Sequence, residues 1–146
     1  MSRAALVDKP IDPAVLIAEV RDARYGAVAS FIGTVREVND GRPVSAIDYT
    51  AYVAMAQSEM DRIVAEAEDG FGVGALVVEH RLGSLQLGDV SIAIVAAHEH
   101  RGPALDATRF VIEQIKTRVP VWKLEHYVDG AREWVDPTRS SGATRA

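Results

Sequence analysis

Ile115-Lys116-Thr117-Arg118-Val119-Pro120-Val121-Trp122-Lys123-Leu124-Glu125 decides how this chain folds, because a helix end, a corner and a strand start fall within one short stretch. Upstream, Leu105, Thr108, Ile112 and Ile115 recur at helical spacing, so the pattern predicts a helix from Pro103 to Thr117 that Pro120 cannot continue. Downstream, Val121 to Tyr127 is β-branched and aromatic with alternation, which reads as a strand. Period-two geometry sets Val121, Lys123 and Glu125 on one face and Trp122, Leu124 and His126 on the other. The corner can thus bring Lys116, in the last helical turn, and Lys123 to one place, with Glu125 beside Lys123 to orient it.

Lysine is scarce. Of 16 basic residues only Lys9, Lys116 and Lys123 are lysines. A chain that otherwise uses Arg for positive charge but keeps two Lys here points to a need for an amine that can lose its proton or attack a carbonyl, which guanidinium cannot do. Two ammonium groups brought together also lower each other's proton affinity. The alternative is a pair of solvated surface lysines, and spacing by itself does not separate the two.

The 146 residues suffice for one domain with a real core, expected over 1–136, with a polar, aperiodic tail over 137–146 expected to be disordered. Hydrophobic residues at 48% and charged residues at 25% are ordinary globular values, and a net charge of −5 argues against nucleic acid as the main partner. With no Cys, disulfides, thiolate metal sites and a thiol nucleophile are excluded. No apolar run approaches the ~18 residues of a membrane span, so the expectation is a cytoplasmic protein without membrane contact.

Residues 1 to 10 read as a loose lead-in, and Asp12-Pro13 as the start of a short helix reaching about Asp22. Ala27 to Val35 is a buried strand in which Gly33 marks a close approach of backbone or ligand, with Arg36 at its end. Glu37 to Pro43 is a polar, mobile loop whose Asp40-Gly41 pair turns the chain into an antiparallel strand over Val44 to Tyr52. Val53 to Asp69 is an amphipathic helix burying Ala56, Met60, Ile63, Val64 and Ala67. Ala75 to Arg81 and Asp89 to Ala97 are strands, the second apolar enough to be central, joined by Leu82 to Gly88; Arg132 to Val135 is the last. About six strands against about three helices, joined by mixed connections, give an α+β fold with a mostly antiparallel sheet.

His98-Glu99-His100-Arg101 admits three readings. His98 and His100 are two metal ligands lacking an assigned third, or a polar strand end, or part of an anion site at the start of the following helix, where His100 and Arg101 join unpaired N–H groups. A phosphate ester suits the last, with Arg36 as a second bidentate contact or else as an exposed surface residue.

Phe31-Ile32-Gly33-Thr34-Val35-Arg36, Ile47-Asp48-Tyr49-Thr50-Ala51-Tyr52 with Met55-Ala56, His80-Arg81-Leu82-Gly83, His100-Arg101 and the block from Lys116 to Glu125 together resemble the large, catalytic subunit of molybdopterin synthase over about residues 10 to 136. The resemblance implies a fold similar to the α/β hammerhead and a homodimer carrying a small ubiquitin-like sulfur-carrier subunit at each end, a heterotetramer. It implies transfer of two sulfur atoms from the carrier's C-terminal Gly-Gly thiocarboxylate onto cyclic pyranopterin monophosphate, forming the dithiolene of molybdopterin, with no cofactor or metal. Lys116 and Lys123 are then catalytic amines. Arg36, His100 and Arg101 meet the substrate phosphate, while Glu125 and the backbone of Thr34, Val35, Arg36 and Leu124 line the pocket. Phe31 and Trp122 help line the passage for the carrier tail. Thr50 and Leu124 depart from the family, which often has Glu and Lys there. A carrier-binding paralogue without chemistry is the alternative, against which the two intact lysines argue, and a metal-dependent phosphate-ester hydrolase using His98 and His100 is a third.

Overall fold

The computed structural model describes residues 1–135; the tail expected over 137–146 lies outside the described residues. A four-stranded sheet is built from β1 (Ser2–Val7), β5 (Ala75–Arg81), β7 (Val90–His98) and β2 (Ala27–Thr34), in that order. A second sheet runs β3 (Val38–Asn39), β4 (Arg42–Ala51), β8 (Val121–Tyr127) and β9 (Arg132–Val135), with β6 (Gly83–Gln86) also paired to β4. Among the described residues only β1 and β5 pair in parallel. With helices α1 (Pro13–Val20), α2 (Val53–Phe71) and α3 (Arg101–Arg118), the fold is α+β with mostly antiparallel sheets.

The principal core forms where α2 and α3 cover the first sheet. The stripe Ala56, Met60, Ile63, Val64 and Ala67 is buried as its spacing requires and meets Leu76, Val78, Ile92 and Ile94. β7 lies between β5 and β2, which explains its unbroken apolar run. Arg118 then ties the end of α3 to α2 through Glu59 at 2.9 Å and Glu66 at 2.8 Å, fixing the corner that precedes β8. Asp12 caps α1 by accepting from the Ala14 N–H at 3.0 Å.

Four local expectations are corrected. Residues 2–7 are no loose lead-in: β1 adds to the edge of β5, and Arg3 ties it down through Glu19 at 2.6 Å and Glu79 at 3.0 Å. The connection after β5 contains β6, because Leu85 is wholly buried among Val35, Val44, Ile47 and Tyr127. The loop after Arg36 is a hairpin, in which Asp40 and Gly41 both take positive φ, 50° and 75°, as a two-residue turn with the twist of its strands demands. In α3 the buried residues are Ala104, Ala107, Thr108, Val111 and Ile115, whereas Leu105 is 58% exposed. The helix begins at Arg101 rather than Pro103, which its unpaired first-turn N–H groups permit, and its inward face is a row of small residues that lets it sit close to the sheet.

Gly33 marks a close approach, as its position in β2 implies, but the neighbour is β7. A Cβ there would meet the Ile92 side chain at 2.8 Å.

Leu85 is the anchor of β6, and truncating it empties the centre of its cluster. Leu85→Ala is expected to cost about 3 kcal/mol of unfolding free energy in a urea titration; a cost below about 1 kcal/mol would show that β6 is held by something else.

Candidate active site

Strand β8 puts Lys123 opposite Tyr49 of β4, and Glu125 opposite Ile47, so these four side chains share one face. Lys116, from the last turn of α3, reaches the same place. Lys116 and Lys123 line one cavity of about 20 Å³, room for about one water, together with Tyr49, His80, Ser91, Ile92, Ile115, Val119 and Val121. The two lysines differ in partner. Lys123 lies 3.1 Å from Glu125, whose side chain is 1% exposed. Lys116 has no carboxylate in ion-pair reach among the described residues.

Glu125 is satisfied from several directions. Asn39 donates to both carboxylate oxygens at 2.8 and 2.7 Å, and the Tyr127 hydroxyl donates at 2.7 Å. Burial pushes this carboxyl up, but Tyr127, Asn39 and Lys123 together outweigh it and hold it below the usual glutamate value. The Tyr127 hydroxyl is pushed up to about 12 by burial and by its bond to the carboxylate. Arg36 donates to the Asn39 side-chain carbonyl at 3.0 Å, so the guanidinium, the amide, the carboxylate and Lys123 form one chain of contacts.

Lys116 is held below the ordinary lysine value, first by burial and then by the charges of Lys123 and Arg36. The residue still presents surface to solvent, which limits what burial can do; the two nearby cations act in the same direction.

The inner wall of the cavity is polar. His80, 7% exposed, places Nδ1 3.0 Å from the Arg81 carbonyl and meets Tyr49 edge-on at 5.3 Å. Burial pushes the imidazole down to about 4. The Ser91 hydroxyl donates to the Gly33 carbonyl at 3.3 Å.

Of the residues that the sequence singles out, Lys116, Lys123, Glu125 and Arg36 come together. Others do not. His100 stands at the N-cap position of α3 without a side-chain capping bond, and Arg101 opens the helix, about 22 Å along it from Lys116. The His98 ring accepts the His100 N–H at 2.9 Å. Leu124 faces away from the lysines, opposite Asp48. The Val35 N–H donates to the Asp89 carbonyl and its carbonyl accepts from Gly88, so its backbone is occupied by the turn before β7. Thr34 closes β2 against Val90. Trp122 stands on the far face of β8 against Tyr52, ring centroids 5.3 Å apart, and neither it nor Phe31 lines the lysine cavity. Asn39 and His80 were not picked out as site residues by sequence reasoning. Asn39 needed the hairpin register to be seen, while His80 left a signal as a lone histidine in an apolar strand.

An α+β enzyme subunit with two amines in one cationic pocket is the class this geometry defines. The MoaE protein family matches residues 6–118. The chain is 46% identical over 115 residues to the molybdopterin synthase catalytic subunit of Synechococcus elongatus, covering 78% of this chain and 70% of that one. It is 38% identical over 140 residues to that of Pyrococcus abyssi, covering 94% of each. Molybdopterin synthase from Staphylococcus aureus superposes with a TM-score of 0.83 at 32% identity, over 89% of this chain and 94% of that one. A Helicobacter pylori protein–protein complex of subunits 1 and 2 of molybdopterin-converting factor contains the same fold, with a TM-score of 0.75 at 24% identity and coverage of 90% and 89%. The chain belongs to the MoaE family of molybdopterin synthase catalytic subunits. It is an enzyme of molybdopterin biosynthesis.

The depressed His80 value has a pH signature. In the folded chain the ring stays neutral down to about 4, whereas the unfolded chain takes up its proton near 6.5. The unfolded state therefore binds more protons between those values, and stability falls as pH drops from 6.5 to about 4, by up to about 3 kcal/mol from this group. Urea titrations across that window should show this loss in the parent and a flatter profile in His80→Gln; equal slopes would remove His80 as its source.

Proposed function

We propose that this chain transfers sulfur from the C-terminal Gly-Gly thiocarboxylate of a small ubiquitin-like carrier subunit to cyclic pyranopterin monophosphate, forming the dithiolene of molybdopterin. The observation that carries the reading is the meeting of Lys116 and Lys123 in one cavity, Lys123 held by Glu125 and Lys116 without a carboxylate in reach among the described residues. A chain without Cys cannot carry the sulfur on a thiol of its own, so a thiocarboxylate delivered by a partner fits its composition. A cationic pocket fits both the thiocarboxylate anion and a substrate phosphate. In this reading one lysine positions the thiocarboxylate or moves protons and the other contacts the pterin. Glu125 orients Lys123, and Arg36 meets the phosphate. The reaction belongs in the cytoplasm. Among the described residues no helix is long and apolar enough to cross a membrane.

The distance along α3 adds a requirement. A pterin phosphate spans only about half of the roughly 22 Å between Arg101 and Lys116. If both ends serve one substrate, they come from two chains: a homodimer, within a heterotetramer, sets His100 and Arg101 of one protomer against Lys116, Lys123 and Arg36 of its mate. The name catalytic subunit carried by its relatives, and the Helicobacter pylori complex of subunits 1 and 2, support a second subunit, which this reading takes as the carrier.

Mixing the protein with thiocarboxylated carrier and cyclic pyranopterin monophosphate should yield a dithiolene product, and no product from competent components would refute the assignment. Deleting the carrier's terminal Gly-Gly should weaken binding sharply in calorimetry; unchanged affinity would show that the tail is not recognised. For the composite site, Arg101→Ala and Lys116→Ala proteins, each inactive, should regain activity after subunit exchange, since one heterodimer site is intact. A mixture that stays inactive despite confirmed exchange would place both groups in one chain.

A further inference from the structure

His80 is buried, titratable and unused by the chemistry proposed above. It lines the lysine cavity together with Lys116 of α3 and with Tyr49 of β4, whose ring it meets edge-on. Its Nδ1 sits 3.0 Å from the Arg81 carbonyl, which can only accept, so Nδ1 carries the ring proton and Nε2 is left as an acceptor. The hydrogen bond through Nδ1 leaves Nε2 available to a donor in the cavity. Lys116, across the cavity, offers the complementary groups: three donors, with Glu125 committed to Lys123 and with Lys123 and Arg36 as cationic neighbours. Ser91, on β7, spends its hydroxyl proton on Gly33.

We infer that His80 is the positioning residue for Lys116, its Nε2 accepting from the ammonium across the cavity, with room for one bridging water. The inference rests on the sulfur-transfer reading only for its catalytic consequence. A neutral acceptor holds the ammonium in place without neutralising it, as a carboxylate would, and leaves it free to turn toward an incoming anion. Because a bond to the charged form favours that form, His80 opposes the burial and the Lys123 and Arg36 charges that lower the Lys116 proton affinity. The imidazole keeps this role across neutral pH, since its surroundings hold it at about 4.

The scarcity of lysine makes the test direct. With ¹³C-labelled lysine the chain has three ε-carbon signals, from Lys116, Lys123 and the exposed Lys9. In His80→Phe the Lys116 titration should move to lower pH while Lys9 and Lys123 stay, and His80→Gln, which keeps an acceptor near the Nε2 position, should restore it. Dithiolene formation should drop about tenfold in the Phe variant and recover in the Gln variant. An unmoved Lys116 titration in folded His80→Phe would overturn the inference, as would equal displacement in both variants, which would assign the effect to packing. Should His80→Phe fail to fold, two-bond ¹H–¹⁵N spectra of the parent decide. The expected ring is protonated at Nδ1, with an Nε2 signal that shifts in Lys116→Met; a ring protonated at Nε2 overturns the proposal. The titrations hold whether or not the chain transfers sulfur, so the two readings fail separately.

Discussion

The buried carboxylate of Glu125 is the constraint on which the site depends. A charge with 1% of its side chain exposed is tolerable only when its oxygens are fully engaged, and here Asn39, Tyr127 and Lys123 engage them. Those partners come from both ends of the chain. Asn39 belongs to the β3–β4 hairpin, and Lys123 and Tyr127 flank Glu125 on β8. Removing the carboxylate would strand three buried or half-buried groups at once, a loss of roughly 3 kcal/mol or more. The hairpin register, the β8 pleat and the Lys123 orientation are thus one structural fact.

Chemistry follows from the asymmetry this creates. Two lysines share one pocket, and among the described residues only Lys123 has a counter-charge. Lys123 is held by Glu125, while Lys116 lies beside Lys123 and Arg36, and burial with those two charges lowers its proton affinity. The helix-to-strand corner produces the pairing, and Arg118 secures it by tying the end of α3 to Glu59 and Glu66 of α2. Electrostatics and packing meet within a few residues of Pro120.

Much of this was legible in the sequence wherever one element's own periodicity decides the outcome. The α2 stripe, the β8 alternation and the stop at Pro120 are local patterns that tertiary packing keeps. Lysine scarcity pointed to Lys116 and Lys123, and β8 geometry put Glu125 beside the second. What escaped depends on a partner far along the chain. β1 is a strand because β5 offers an edge, and β6 because Leu85 fills a hole between Val44 and Tyr127. Leu105 looked inward by spacing, but the close approach of α3 selected its alanines instead. The Asn39 role needed the turn to bring it across to Glu125, 86 residues on. Neither hydropathy nor spacing records such contacts.

In the proposed reaction an amine, and not merely a positive charge, is required at both positions of the pocket. The direct measurement is the rate of dithiolene formation by Lys116→Arg and Lys123→Arg, with thermal unfolding confirming that each keeps its fold. Both substitutions keep the charge and replace the amine by a guanidinium, which cannot take its place as a nucleophile or proton carrier. Loss of most of the activity in each variant is the predicted result; near-parent turnover in either would take that lysine out of the chemistry and contradict the account.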